Sequence, residues 1–342
     1  MNKPTALPAA PLQSASATEQ RAGSALPVRI LLVLANSREL MLLALIVILV
    51  VGMTVVYPKN FPTSFNISAV LLNAAQNGIL VAGMMLLMIA GSFDLSVGST
   101  LALAGVWAGV VVGWWNWPAP VGLLASLLVG GAAGALNGAI VTRLGINALI
   151  ATLATMTIYR GLTYLTAGTG VTPIGDDFEV YGQTVFLGLQ TPFWVMLVVV
   201  VAGGWAVART RFFRQYYFIG GNARAAKLSG IRVERLTLIG FTIMGVLAGL
   251  AGALAASRLN SAVVSAGIGV ELSVITATVL GGASLKGGEG TILGGVLGVL
   301  FIALVQNAMI INGIGVFWQP IIVGLVLLLA VSLDRFKQTH RG

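Results

Sequence analysis

The chain has no cysteine and a single histidine, and only 8% of its 342 residues are charged. Without cysteine there can be no disulfide frame, no thiol chemistry and no thiolate zinc site. The histidine, His340, stands in a polar C-terminal tail, and no Ser/His/Asp set or cluster of metal-ligand residues is evident elsewhere. Catalysis and a metal or organic cofactor are therefore not expected. Acidic residues are also scarce, ten against nineteen basic, for a formal net charge of +9. In a soluble protein that excess would suggest nucleic acid as a partner. A soluble domain, however, is about 25% charged, whereas this chain is 57% hydrophobic with a mean hydropathy of +0.97. The scarcity of charge excludes water as its main solvent, so nucleic acid is not expected and membrane lipid is.

What is present is a series of long apolar runs, each near the roughly 20 residues that a helix needs to cross a bilayer core. They cover about 39–57, 68–90, 95–115, 119–142, 146–166, 192–208, 234–256, 267–284, 291–311 and 316–333. Backbone N–H and C=O groups find no water in a bilayer, so each run must satisfy its own as a helix. The expected fold is an all-α polytopic membrane protein with about ten transmembrane helices. The third and eighth runs have polar or glycine-rich breaks beside them and read either as full spans or as re-entrant or broken helices.

Basic residues resist translocation and stay on the cytoplasmic side. On one side of this topology lie Lys3, Arg21, Arg29, Arg38, Arg143, Arg209, Arg211, Arg214, Arg224, Lys227, Arg232, Arg235, Lys286, Arg335, Lys337 and Arg341; on the other lie only Lys59 and Arg258. Both termini are thus expected in the cytoplasm. The division is an N-terminal tail over 1–38, rich in Ala, Pro, Ser and Thr and read as disordered to about 28, one membrane domain over 39–333, and a C-terminal tail over 334–342. The long inner loop 209–233 is basic, and the long outer loop 167–191 carries Asp176, Asp177 and Glu179 with no basic residue. Loops of opposite sign on opposite faces suggest two docking partners.

Glycine is abundant at 44 residues, and Gly130, Gly134 and Gly138, Gly245 and Gly249, and Gly294 and Gly298 each recur at spacing four. That spacing puts them on one helix face, to serve close packing within the bundle or a dimer contact. The stretch Gly281 to Gly290 is glycine-rich, but Lys286 is followed by glycine rather than Ser or Thr, so it is no phosphate-binding loop and reads as a tight inner turn. No internal repeat is evident by eye.

Within the inner loop, Gly220-Gly-Asn-Ala-Arg-Ala-Ala-Lys-Leu-Ser-Gly-Ile231 predicts a short helix over about 223–229, with Asn222 as N-cap and Gly230 just past its end. Taken alone, it could be a lipid-anchored surface helix. The segment also resembles the cytoplasmic coupling helix of ABC importer permeases of the ribose, xylose and arabinose class, through Gly220 or Gly221, Asn222, Ala225, Ala226, Ser229, Gly230 and Ile231. Further stretches are similar to the same family: Asp94 to Ser99, Asn137-Gly138, Ala151 to Met156 with Arg160-Gly161, Gly269 to Leu272, Val279 to Gly288 and Gly290 to Gly294. The proline common just upstream of the fifth span is missing around Asn147, and Ser273 stands where an Asp is common. The resemblance spans about 66–333 and implies cytoplasmic ATP-binding subunits, a periplasmic sugar-binding protein and a second permease, identical or related. It implies that Gly221, Asn222, Arg224, Ala225, Ala226, Lys227, Ser229 and Gly230 meet the ATPase.

Candidates for a translocation path are Asn73, Gln76 and Asn77 in the second span, Gln306 and Asn307 in the ninth, and Asp94, since amides and carboxylates in apolar runs suit sugar hydroxyls or pair across helices. Asp94 with Ser96 also suits the start of a new helix, as a cap. Arg160 and Glu271 are placed to pair across helices. The function expected is inward transport of a monosaccharide or similar polyhydroxylated solute. An ion-driven secondary transporter is the alternative, although it would need ionisable groups near the midplane; a scaffold without transport is a third.

Overall fold

A computed structural model describes residues 38–339, with side chains from 39 to 332. The proposed N-terminal tail, apart from Arg38, lies outside the described residues. The rest is mostly helical: α1 (Arg38–Val56), α2 (Ser64–Ile89), α3 (Val97–Gly109, prolonged by a π-turn over Val110–Trp114), α4 (Ala119–Arg143), α5 (Ala148–Ala167), α6 (Asp176–Gln183), α7 (Thr191–Arg209), α8 (Arg211–Gly221), α9 (Ala223–Leu228), α10 (Val233–Leu259), α11 (Val270–Leu280), α12 (Ile292–Ile311) and α13 (Gln319–Thr339). Among the described residues, strand is confined to a two-stranded hairpin, β1 (Val185–Phe186) and β2 (Leu189–Gln190).

Among the described residues, seven helices are long and apolar enough to cross a membrane: α1, α2, α3 with its π-turn, α4, α7, α10 and α12. The fifth, eighth and tenth runs also fold as helices but miss that standard. Threonines, Tyr159 and Arg160 make α5 more polar, and α11 has 11 residues because its N-terminal part is the loop that holds Gly267 and Gly269 at positive φ. The third run is therefore a full-length helix, and the eighth is a broken one.

Local chemistry fixes the ends. Thr63 caps α2 by accepting from the Asn66 N–H at 3.2 Å, Asn147 caps α5 from Leu149 at 2.8 Å, and Thr291 caps α12 from Gly294 at 3.0 Å. Asn260 ends α10 in the left-handed region, and its Oδ1 accepts from the N–H groups of Ile174 and Gly175, both at 2.9 Å.

The glycine rows pack the bundle from within. A methyl on Gly134 would strike the Phe241 carbonyl, and one on Gly245 would strike the Gly130 carbonyl and meet the Gly134 Cα at 2.8 Å. α4 and α10 therefore touch backbone to backbone, the approach that small residues permit and that dispersion rewards in lipid. Gly294 and Gly298 press likewise on Gly281 and Ala277 of the α11 region. Among the described residues these rows are internal packing faces. Gly134→Val is expected to cost about 1–3 kcal/mol or more, since only backbone can move aside, and to appear as loss of the monodisperse peak in detergent chromatography.

Contacts between helix ends define two poles. At one, α8 gathers the end of α2 and the starts of α10 and α12: Tyr216 donates to the Leu236 carbonyl at 2.7 Å and Tyr217 to the Gly290 carbonyl at 2.8 Å. At the other, Tyr57 meets Asn312, Asn66 meets Asn307, and Val171 bridges Ala262. The first pole carries α9 with Arg224 and Lys227; the second carries α6, with Asp176, Asp177 and Glu179 in its first turn, where the helix dipole favours them.

One pattern passes unnoticed in the linear reading. Asp94-Leu-Ser-Val97 and Glu271-Leu-Ser-Val274 share a form, each acid preceding or opening a helix, α3 and α11, that starts after a break. The two meet, because a methyl on Gly98 would lie 2.6 Å from Glu271 Oε2 and strike the Gly267 carbonyl. α2 runs toward the α9 pole and α10 runs away from it, so the two elements are related in inverted sense.

Candidate functional site

At the basic pole the short helix forms where Asn222 accepts from the Ala225 N–H at 3.0 Å and Gly230, at φ +84°, turns the chain out. A glycine here avoids the left-handed strain that a side chain would meet. Ala226 faces inward and is buried, while Arg224, Ala225 and Lys227 face out and Leu228 is 87% exposed. Lys227 pairs with Glu234 on the surface, a contact that adds little stability when solvated. Gly221, Asn222, Ala225, Ala226 and Ser229 line a groove of about 530 Å³ together with Tyr217, Phe218 and Ile231.

Beneath α9, the C-terminal part of α8 is keyed into the bundle. Gly288 N–H donates to the Ile89 carbonyl at 2.8 Å, and Gly220 presses on both groups so closely that a methyl would overlap them. Gly287 in turn touches Gly91. The glycine-rich turn over 281–290 is thus a socket for the α8 elbow. Tyr216 is buried with its hydroxyl bonded to the Leu236 carbonyl, and burial pushes the phenol above its usual range.

Toward the acidic pole an open cavity of about 380 Å³ lies between α2, α11, α12 and α13. It brings together Asn73, Gln76, Asn77 and Gln306, with Asn73 Nδ2 3.4 Å from Gln306 Oε1. Sequence reasoning missed Ser273, Thr276 and Gln319 on its wall and Arg258 at its edge. The spacing of Ser273 and Thr276, one turn apart on α11, was the available signal. The cavity offers amides and hydroxyls, donors and acceptors in turn, and Arg258 is the one charged group among the residues that line it.

Two candidates lie elsewhere. Asn307 pairs reciprocally with Asn66, at 2.7 and 3.2 Å, as an interhelical amide bond. Asp94 is 1% exposed and is not among the residues that line this cavity. Its Oδ1 accepts from the Ser96 N–H at 2.8 Å and the Ser96 hydroxyl at 2.7 Å, which is a cap-like turn just before α3. Asn137 Nδ2 from α4 donates to Ser96 Oγ at 2.8 Å and to Asp94 Oδ2 at 3.3 Å. Tyr159 from α5 places its hydroxyl 3.1 Å from Asn137 Oδ1 and 2.9 Å from the Ala133 carbonyl. Arg160 and Glu271 form no ion pair among the described residues. Arg160 donates to the carbonyls of Val264 and Ala266 at 2.6 and 2.9 Å, and Glu271 accepts from the Gly269 N–H at 3.2 Å. Both charges thus hold the loop that precedes α11.

The family described as branched-chain amino acid transport system / permease component matches residues 66–331. The chain belongs to that family. Among its relatives, the ribose import permease protein of Escherichia coli strain K12 is 39% identical over 302 residues, covering 87% of this chain and 93% of the relative. The L-arabinose transport system permease protein of the same organism is 39% identical over 292 residues, covering 83% and 86%. The ribose import permease protein of Bacillus subtilis strain 168 is 39% identical over 298 residues, covering 85% and 90%. No solved structure matches the chain.

Proposed function

We propose that this multi-pass protein is the inner-membrane permease subunit of an ATP-driven ABC importer for a monosaccharide or a similar small polyhydroxylated solute. It is a transport subunit and not an enzyme; ATP is hydrolysed by a separate subunit. The observation that carries the reading is α9, a capped helix outside the apolar bundle whose exposed side shows Arg224, Ala225 and Leu228 while its base is keyed to the ends of three long helices. Leu228, exposed beside Arg224 and Lys227, is the apolar side chain that a contact with that subunit would cover. In this reading Gly221, Asn222, Arg224, Ala225, Ala226, Lys227, Ser229 and Gly230 form the ATPase contact, and nucleotide-driven closure moves the spans as rigid bodies.

The amide-lined cavity is the inner half of the same proposal. Asn73, Gln76, Asn77 and Gln306 form the translocation path, with a second permease, identical or related, facing it. The membrane domain covers 39–333 with ten crossings, the α9 pole lies in the cytoplasm with both termini, and the acidic 167–191 region faces a periplasmic sugar-binding protein. The basic residues at the α9 pole favour this orientation.

The test is solute uptake by the permease assembled in liposomes with its ATP-binding subunit and binding protein. Uptake is expected to need ATP and to fall at least about tenfold in the double variant Arg224→Glu, Ala225→Glu, whose two carboxylates oppose a basic-helix contact. Normal coupled uptake in that variant would overturn the α9 reading. Uptake that persists without ATP and collapses with the ion gradient would establish a secondary transporter instead.

A further inference from the structure

Asp94 is the one buried carboxylate among the described residues, and nothing in the transport reading uses it. A buried carboxylate held by donors from several elements is costly to leave unpaired, so those elements shift together. Here the elements are the 90–96 segment, α4 through Asn137 and α5 through Tyr159. At the other end of the same short segment, Ile89 and Gly91 are clasped by Gly220, Gly287 and Gly288 beneath α9. Only residues 89 to 94 of chain separate the α8 elbow from the network.

We propose that Asp94 is a positioning residue for transport, and that the Asp94–Asn137–Tyr159 network passes movement of the α8–α9 elbow on to α4 and α5. This rests on the reading of α9 as the ATPase contact. It takes the place of the reading that puts Asp94 on the solute path.

The network allows a swap. In Asp94→Asn the new amide sets N–H against the Asn137 N–H, while Ser96 can still donate to the remaining oxygen. Asn137→Asp in that background restores a carboxylate–carboxamide pair with the roles exchanged. In the liposome assembly, Asp94→Asn is expected to lower solute moved per ATP hydrolysed about tenfold while basal hydrolysis continues, and the swap is expected to return the ratio to within about threefold of the parent. Tyr159→Phe, which removes one hydroxyl, is expected to lower it about threefold.

A structural role alone would reduce the amount of folded transporter and leave the ratio per ATP unchanged. An unchanged ratio in Asp94→Asn, or a swap that restores nothing, overturns the relay. Should Asp94→Asn not assemble, Tyr159→Phe decides, and an unchanged ratio there overturns it too. If the Arg224→Glu, Ala225→Glu variant disturbs coupling and these do not, the relay alone fails; if that variant is also normal, the α9 reading fails with it.

Discussion

Gly220→Val is expected to abolish coupled uptake, while Gly221→Val, one residue on at the edge of the ATPase contact, is expected to lower it far less. The two glycines end the same helix, so helix propensity changes alike at both. Their surroundings decide the outcome. A side chain at Gly220 would drive into the Ile89 carbonyl, the Gly288 amide and Gly287, all backbone, whereas a methyl on Gly221 meets nothing within 4 Å. Overpacking against atoms that cannot rotate away costs about 1–3 kcal/mol or more, and about 3 kcal/mol of misplacement corresponds to about a 100-fold loss of rate. The elbow lies outside the glycine-packed interface of α4 and α10, so the bundle itself should still fold. Uptake, ATP hydrolysis and the detergent elution profile, measured side by side, separate the effects. Equal uptake by the two variants would mean that the socket does not transmit force.

The contrast shows where sequence suffices. The helix over 223–229, the cap at Asn222 and the glycine at 230 were legible because a cap and a left-handed exit are local requirements with few residue solutions. The rows at Gly130, Gly134 and Gly245 were legible as faces, yet which face met which was not, since spacing of four says nothing of the partner. Asn73, Gln76, Asn77 and Gln306 came together as the shared polarity suggested, but Asn307, adjacent to Gln306, points to Asn66 because neighbours on a helix diverge by about 100°. Asp94 was legible as a cap and invisible as a network, because Asn137 and Tyr159 reach it from helices far along the chain. The glycine-rich break beside the eighth segment raised the possibility of a broken helix there as it did for the third, and only three dimensions distinguished the two and showed the eighth meeting the start of α3.

Replacing amides on the cavity wall separates path from scaffold. Asn77→Leu with Gln306→Leu is expected to lower the maximal rate of uptake about 10- to 100-fold, because each hydrogen bond lost to a solute hydroxyl costs about 0.5–1.5 kcal/mol and the bare apolar wall gives nothing in return. The concentration for half-maximal uptake should stay near the parent's, since a separate binding protein performs the capture. Asn307→Leu is the matched control on the same helix. It removes the partner of Asn66, which lies outside the cavity, and such interhelical bonds are worth about 0.6–1.7 kcal/mol in membrane proteins. Its expected signature is a lower unfolding midpoint with the uptake rate unchanged. Were the double variant to transport normally, the amides would be holding helices together rather than passing a solute, and the path would have to run along another face of the bundle.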